Sequence, residues 1–234
     1  MPYTTESAQA TFDGFLFDMD GTIIDSTEAI VNHWKVIGEE IGIPAEVILQ
    51  TSHGRRSYDM LKILKPEIAS WDYVCKIEGR IPEKWGDSAV EIPGARDLIN
   101  VLIKNSAPWA IVTSGTKPLV SGWTKRLNLP EPKVLVTAES VDNGKPDPQC
   151  YLMGREKLAM ADTNKQILVL EDSPAGIRSG KAAGCKVVGL VTSHTAEQVA
   201  AAGPDWIVED LKSVAVVKNE NGVVTLEFSR LWKP

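Results

Sequence analysis

Asp18 and Asp20 stand one residue apart in F-L-F-D-M-D-G-T-I-I-D, where an apolar run ends. In an extended segment, residues i and i+2 point to the same side, so both carboxylates would leave a strand together. Close carboxylates repel, and each raises the other's pKa unless a cation intervenes. A divalent metal is one resolution and a shared proton is the other. Gly21 frees the backbone to turn behind them. An Asp beside a Gly is also ordinary turn or capping chemistry, so the pair takes chemical meaning only from what joins it.

Three later apolar runs end in residues of a matching kind. After W-A-I-V come Thr113, Ser114 and Gly115, a hydroxyl and backbone N–H groups able to hold an anion. In D-N-G-K-P-D-P, Lys145 is fixed between Gly144 and Pro146, which suits a positioned charge. After I-L-V-L come Glu171 and Asp172, then Ser173 and Pro174 as the cap and first turn of a helix. Each feature alone is common. Together they would bring Asp/Asp, Ser, Lys and Glu/Asp to one sheet edge.

The runs Phe15–Phe17, Trp109–Val112, Val134–Val136, Ile167–Leu170, Val187–Val191 and Trp206–Val208 are continuously apolar, as strands buried on both faces are. Helical patterns at Ala95–Lys104, Pro118–Leu127, Gln149–Ala159 and Pro174–Ala183 lie among them. This alternation predicts an α/β fold, a doubly wound, Rossmann-like parallel sheet that binds ligands beyond the carboxyl ends of its strands. The interval 26–90 breaks the rhythm. It reads as helices at Glu28–Ile41, Ala45–Gln50, Ser57–Leu64 and Trp71–Trp85, with no convincing strand. The expected organisation is a core of residues 1–24 and 91–234 with a helical subdomain inserted at 25–90. Asn221-Gly222, between Val214–Val217 and Val223–Phe228, predicts a hairpin. The first ~10 residues read as a tail.

The 234 residues carry a formal net charge of −6, which argues against a nucleic-acid or anionic-membrane surface. No apolar run approaches the ~18–20 residues of a membrane span. M-P-Y-T-T-E-S-A-Q-A lacks the basic and apolar regions of a signal peptide. Cys75, Cys150 and Cys185 show no metal-ligand spacing and read as small apolar residues of a reducing compartment. The expectation is a cytoplasmic monomer whose partner is a small molecule.

D-M-D-G-T, T-S-G, G-K-P-D-P and E-D-S-P-A-G-I-R-S-G-K-A-A-G resemble, in order and spacing, the four motifs of the haloacid dehalogenase-like hydrolases. The resemblance spans essentially the whole chain. It implies that Asp18 is the nucleophile that forms an aspartyl-phosphate, and that Asp20 protonates the leaving group and then activates water. It implies Mg2+ held by the Asp18 carboxylate, the Asp20 backbone carbonyl and Asp172, with Glu171 in support. Ser114 and Lys145 would bind the phosphoryl oxygens, with Thr113 and Gly115 beside them as substrate-binding positions. The dehalogenases lack a second aspartate in the first motif, so Asp20 points to phosphate ester hydrolysis.

The insert resembles the helical C1 cap of that superfamily. Its S-H-G-R-R-S is similar to the S-H-G-x-R-[S/T] pattern of the fungal glycerol-phosphate phosphatase and 2-deoxyglucose-6-phosphate phosphatase group. I-E-G-R-I-P-E-K-W-G and S-V-A-V-V-K-N-E-N-G extend the likeness. On this basis His53 and Arg56 are expected at the substrate, with Arg55 at the variable position. Asp25 and Glu28 could bind substrate hydroxyls or simply start a helix. Trp34, Trp71 and Trp85 read as the insert's apolar core. The resulting expectation is a Mg2+-dependent phosphatase for small sugar or polyol phosphates, such as 2-deoxyglucose 6-phosphate or glycerol phosphate. The alternatives are a phosphomutase of the β-phosphoglucomutase kind and a non-catalytic phosphate-binding regulatory module.

Overall fold

The computed structural model describes residues 3–52, 54–162 and 164–232. Its strands are β1 (Ala8–Phe12), β2 (Gly14–Phe17), β3 (Ile24–Asp25), β4 (Val90–Glu91), β5 (Trp109–Val112), β6 (Leu135–Val136), β7 (Ile167–Glu171), β8 (Lys186–Leu190), β9 (Trp206–Val208), β10 (Val214–Glu220) and β11 (Val223–Phe228). Six of them form the main sheet, in the order β6-β5-β2-β7-β8-β9. Every pairing in it is parallel.

The continuous apolar runs have the reason the sequence suggests. Phe15, Phe17, Leu168 and Leu170 face one buried cluster, while Leu16, Ala110 and Val169 face another. Successive residues of a strand point to opposite faces, so both sets must be apolar when both faces are covered. Helices Ala95–Lys104 and Lys117–Arg126 cover the first face through Leu98, Leu102 and Trp123. Helices Gln149–Lys157 and Pro174–Ala182 cover the second through Tyr151 and Ile177. From β2 the chain builds outward through β5 and β6 on one side and through β7, β8 and β9 on the other. The carboxyl end of β2 is therefore the switch point, where an open α/β sheet leaves a crevice.

The insertion leaves and re-enters the sheet through a short antiparallel ribbon, Ile24 opposite Glu91 and Asp25 opposite Val90. No pattern of residues announces this ribbon, because two residues are too few for a period. Helices Thr27–Ile41, Ala45–Ser52, Ser57–Leu64, Trp71–Glu78 and Ile81–Trp85 follow the expected helical reading. They enclose their own cluster, which includes Trp34, Ile37, Leu61 and Val74. The expected helix Trp71–Trp85 is broken in two. Pro82 has no N–H for a bond to Glu78, and its ring would meet that carbonyl in a continuous helix.

The N-terminal segment also departs from expectation. Residues 8–12 form β1, which pairs antiparallel with β11 from Ala8 opposite Phe228 to Phe12 opposite Val224. A-Q-A-T-F has one large apolar side chain, Phe12, and its strand exists because the β10–β11 hairpin offers an edge. That hairpin turns at Asn221 and Gly222, both at positive φ, as a tight two-residue turn requires.

Several polar residues are buried in the insertion, His33 among them. His33 is 1% exposed, its ring 4.9 Å from that of Trp34 and 5.7 Å from that of Trp85. Its Nε2 has no hydrogen-bond partner. Burial, with Arg80 and Lys84 nearby, lowers its pKa from the usual 6.5 to about 3. The unfolded chain therefore binds a proton that the folded chain refuses. The stability this protects is complete above pH 6.5 and falls as the pH drops toward 3. We predict that His33→Leu flattens the acid limb of the stability curve between pH 6.5 and 4.5, by up to about 1.4 kcal/mol per pH unit. Urea unfolding of both proteins across that range measures it. Parallel curves would show that His33 accepts its proton without opening the insertion.

Candidate active site

Three adjacent strands end together. Asp18 follows β2, Thr113-Ser114-Gly115 follows β5, and Glu171 ends β7 with Asp172 next. Sheet pairing continues into the site, since Asp18 N donates to Leu170 O at 3.0 Å and Thr113 N to Val136 O at 2.9 Å. The loop after β6 supplies Lys145. Ser173 caps the helix Pro174–Ala182 by accepting from Gly176 N at 3.0 Å, which fixes the acidic pair at its start. Gly21 has φ +89°, and a Cβ there would overlap the Asp172 carboxylate. A side chain is thus excluded from this turn by both conformation and space.

Lys145 sits at the centre. Its Nζ donates to Asp18 Oδ1 at 2.5 Å, Glu171 Oε1 at 2.7 Å and Val112 O at 3.2 Å, which uses all the donors an ammonium has. Glu171 is equally committed. Oε1 accepts from Lys145 and from Tyr151 OH at 2.8 Å, and Oε2 accepts from Asp172 N, Ser173 N and Ser173 Oγ at 3.0–3.1 Å. Asp172 accepts from Thr22 Oγ1 at 3.1 Å and from Ser193 Oγ. Asp20 accepts from Ser26 Oγ at 2.6 Å.

The pKa shifts follow from this crowding. Burial pushes the Asp18 carboxyl well up, Lys145 opposes it, and Glu171 and Asp172 add to the rise. Burial and Glu171 raise Asp172 from 3.8 to about 7. Burial raises Asp20 against the hydrogen bond from Ser26. Burial alone would lower the Lys145 amine, but Asp18 and Glu171 outweigh it and hold the pKa above its usual value. One ammonium thus faces three carboxylates, Asp18, Glu171 and Asp172, whose oxygens come within 4.8 Å of one another. Oxygen-only donors, deep burial and surplus negative charge fit a hard divalent cation. Because Glu171 is saturated with hydrogen bonds, Asp18 and Asp172 are the carboxylates free to meet it, with Glu171 behind.

A cavity of about 90 Å³ lies in front of this cluster. Asp18, Asp20, Thr113, Ser114, Gly115 and Asp172 border it from the sheet, and Trp34, Arg55, Ser57 and Glu78 from the insertion. Lys145 lies behind Asp18, bonded to it and to Glu171. Ser114 Oγ donates to Gly54 O of the insertion at 3.0 Å, and Gly115 N is held by Thr113 Oγ1 at 2.9 Å.

Other expected site residues lie elsewhere. Arg56 is buried between the insertion and the loop before Lys145, away from the cavity lining. Glu28 is exposed in the first turn of its helix and does not border the cavity. Asp25 Oδ1 accepts from Thr27 N at 3.1 Å, a helix-start contact. Trp71 stacks on Tyr58 at 4.3 Å inside the insertion. His53 falls outside the described residues.

The sequence reading missed Glu78, Ser193, Thr22 and Tyr151. Glu78 is 4% exposed and bridges the two parts of the molecule, accepting from Ser57 Oγ at 2.5 Å and Thr116 N at 2.8 Å. Burial raises its pKa from 4.5 to about 7 despite those donors. Ser193 had a signal, because T-S-H follows the apolar run that ends at Val191 much as T-S-G follows the run that ends at Val112. Tyr151 carried no signal.

Residues 15–190 match the family described as haloacid dehalogenase-like hydrolase. The chain is 41% identical over 225 residues to "Glycerol-1-phosphate phosphohydrolase 1" of Saccharomyces cerevisiae, covering 92% of this chain and 89% of that protein. It is 38% identical to "2-deoxyglucose-6-phosphate phosphatase 2" of the same yeast, covering 92% and 95%. Among solved structures, a hydrolase from Pseudomonas syringae superposes with a TM-score of 0.72 at 27% identity, covering 85% of this chain and 94% of that one.

Removing the central ammonium tests the electrostatic account. In the presence of a chelator, Lys145→Met should cost roughly 3–5 kcal/mol, because it strands buried carboxylates without their partner. The loss should shrink as pH falls, since protonated acids no longer need the ammonium. Urea unfolding at pH 8 and pH 6 reads both effects. A loss below about 1 kcal/mol at pH 8 would place this pair with exposed ones and refute the account.

Proposed function

The chain belongs to the haloacid dehalogenase-like hydrolase family, and from that premise we propose that it hydrolyses phosphate monoesters of small sugars or polyols. The observation that carries this reading is the meeting of Asp18, Asp20, Ser114 and Asp172 at one cavity, with Lys145 bonded to Asp18 behind it. The two carboxylates of D-M-D have different partners, and different work follows. Asp18 lies against an ammonium that opposes the rise burial imposes on it, and a cation held beside it would add to that opposition and favour the ionised form that attacks phosphorus. Asp20 lies against a hydroxyl, and burial raises its pKa, which favours the protonated form that hands a proton to the leaving alkoxide. Once that proton has gone, the Asp20 carboxylate takes one from the water that cleaves the aspartyl-phosphate.

Asp18 and Asp172 would hold the cation, with the Asp20 backbone carbonyl as a further oxygen and Glu171 orienting the shell. We assign the cation as Mg2+. When bound it supplies positive charge against the phosphoryl oxygens and favours the ionised Asp18. Lys145 neutralises charge developing on the same group, and the Ser114 hydroxyl can turn from Gly54 O to a phosphoryl oxygen.

Residues 25–90 serve as a cap over a core of 1–24 and 91–234. Trp34, Arg55, Ser57 and Glu78 border the leaving-group side of the cavity. A hydroxyl and a carboxylate there suit hydrogen bonds to a polyhydroxy leaving group. The yeast relatives named for glycerol-1-phosphate and 2-deoxyglucose-6-phosphate support the same substrate class. No helix among the described residues is long and apolar enough to cross a membrane. We propose a cytoplasmic monomer.

The expected result is Mg2+-dependent phosphate release from glycerol phosphate, 2-deoxyglucose 6-phosphate or a close analogue, lost with EDTA and restored by Mg2+. Asp18→Asn should abolish turnover, and activity at about a tenth of wild type would refute Asp18 as nucleophile. Isomerised sugar phosphate without phosphate release would favour a phosphomutase. No turnover on any ester would favour a binding module.

A further inference from the structure

Arg56 begins the helix Ser57–Leu64 in the insertion and is only 3% exposed. Its five N–H groups are all engaged. Nε and Nη2 grip the Asp59 carboxylate as a fork, each at 2.7 Å. Nη1 donates to Ala138 O at 3.1 Å and Val141 O at 2.7 Å, and Nη2 donates to Asp142 O at 2.8 Å. The Trp71 ring lies 5.5 Å from the guanidinium carbon. Gly144 passes so close that a Cβ there would lie 2.6 Å from Arg56 Nε and 2.7 Å from Asp59 Oδ2. An arginine so committed has no donor left for a substrate.

Its carbonyl partners lead into the stretch that delivers Lys145: Ala138 opens the 3-10 turn Ala138–Ser140, and Val141 and Asp142 begin the irregular residues that follow. That stretch, 141–148, contains D-N-G-K-P-D-P, is rich in proline and glycine and forms no strand or helix of its own. The planar fork of Arg56 holds these three carbonyls and the Asp59 carboxylate at once, five donated bonds where an ammonium has only three donors. At the end of the segment, Lys145 reaches Asp18 at 2.5 Å and Glu171 at 2.7 Å.

We propose that Arg56 is a positioning residue that docks the insertion onto the Lys145 loop, so that closure of the cap and placement of Lys145 are one event. The inference rests on the phosphatase reading for the task of Lys145, but the contact itself can be tested without turnover. Breaking it should raise amide hydrogen exchange across 139–147 in the free enzyme and leave the central strands β2, β5 and β7 unchanged.

The experiment compares wild type, Arg56→Ala and the milder Asp59→Asn, which keeps the test open where Arg56→Ala fails to fold. Exchange across 139–147 should rise in both variants. In Arg56→Ala, kcat/KM should fall ~10²-fold, by the same factor on 2-deoxyglucose 6-phosphate and on p-nitrophenyl phosphate. Added guanidinium ion should restore part of the lost rate. Unchanged exchange across 139–147 overturns the proposal. So does a selectivity change of more than about tenfold between the two esters, the mark of an arginine that touches substrate. A wild type without turnover on either ester would instead refute the phosphatase reading, and the exchange result would stand apart from it.

Discussion

Lys145 donates to Asp18 and to Glu171 where both carboxylates are buried at the carboxyl ends of adjacent strands. An ammonium and several carboxylates are buried together, and removing such groups from water costs several kcal/mol each unless geometry and hydrogen bonding offset it. The neighbourhood supplies that offset. Tyr151 and the start of the helix Pro174–Ala182 saturate Glu171 with donors. Thr22 and Ser193 attend to Asp172. Gly176 lets its helix approach where any Cβ would overlap the Glu171 carboxylate. Even so the cluster keeps an excess of negative charge, and that excess is what a divalent cation and a phosphoryl group bound to it can use.

The parallel sheet makes such a cluster possible. Its strands are buried on both faces, so their carboxyl ends form a rigid lip, and side chains leaving adjacent ends converge. Asp18, Ser114 and Asp172 come from three neighbouring strands, which fixes their spacing through sheet pairing. Lys145 has no such support, because it comes from an irregular segment. The insertion supplies the missing rigidity through Arg56.

What was legible in the sequence divides along the same line. The strand-end residues could be read because local patterns announce them: an apolar run, then a polar residue, then glycine or proline. The six main strands followed from their continuous apolar runs and four of the helices beside them from their helical pattern, but the short helix Ala196–Ala200 between β8 and β9 did not. β1 could not be read, since A-Q-A-T-F becomes a strand only against β11. Glu78 was also hidden. It is one acid in a helix of mixed character, and its place at the cavity comes from how two subdomains meet. Tyr151 lies in a helix whose polar and apolar residues are poorly segregated, so nothing marked it as a partner of Glu171.

The adjacent arginines show how fine that limit is. Arg56 has φ −72° and ψ 134°, an extended conformation, and along an extended segment successive side chains alternate in direction. Arg55 and Ser57 both border the cavity, while Arg56 between them points at the core loop. A pattern of residue types can flag S-H-G-R-R-S as important, but a pattern cannot say which arginine faces which way. The backbone can, and it puts the cavity-facing charge at the position the sequence pattern leaves variable. A variable residue on the cavity side and a fixed one on the docking side is the division expected when one loop must both recognise a leaving group and assemble the site that cleaves it.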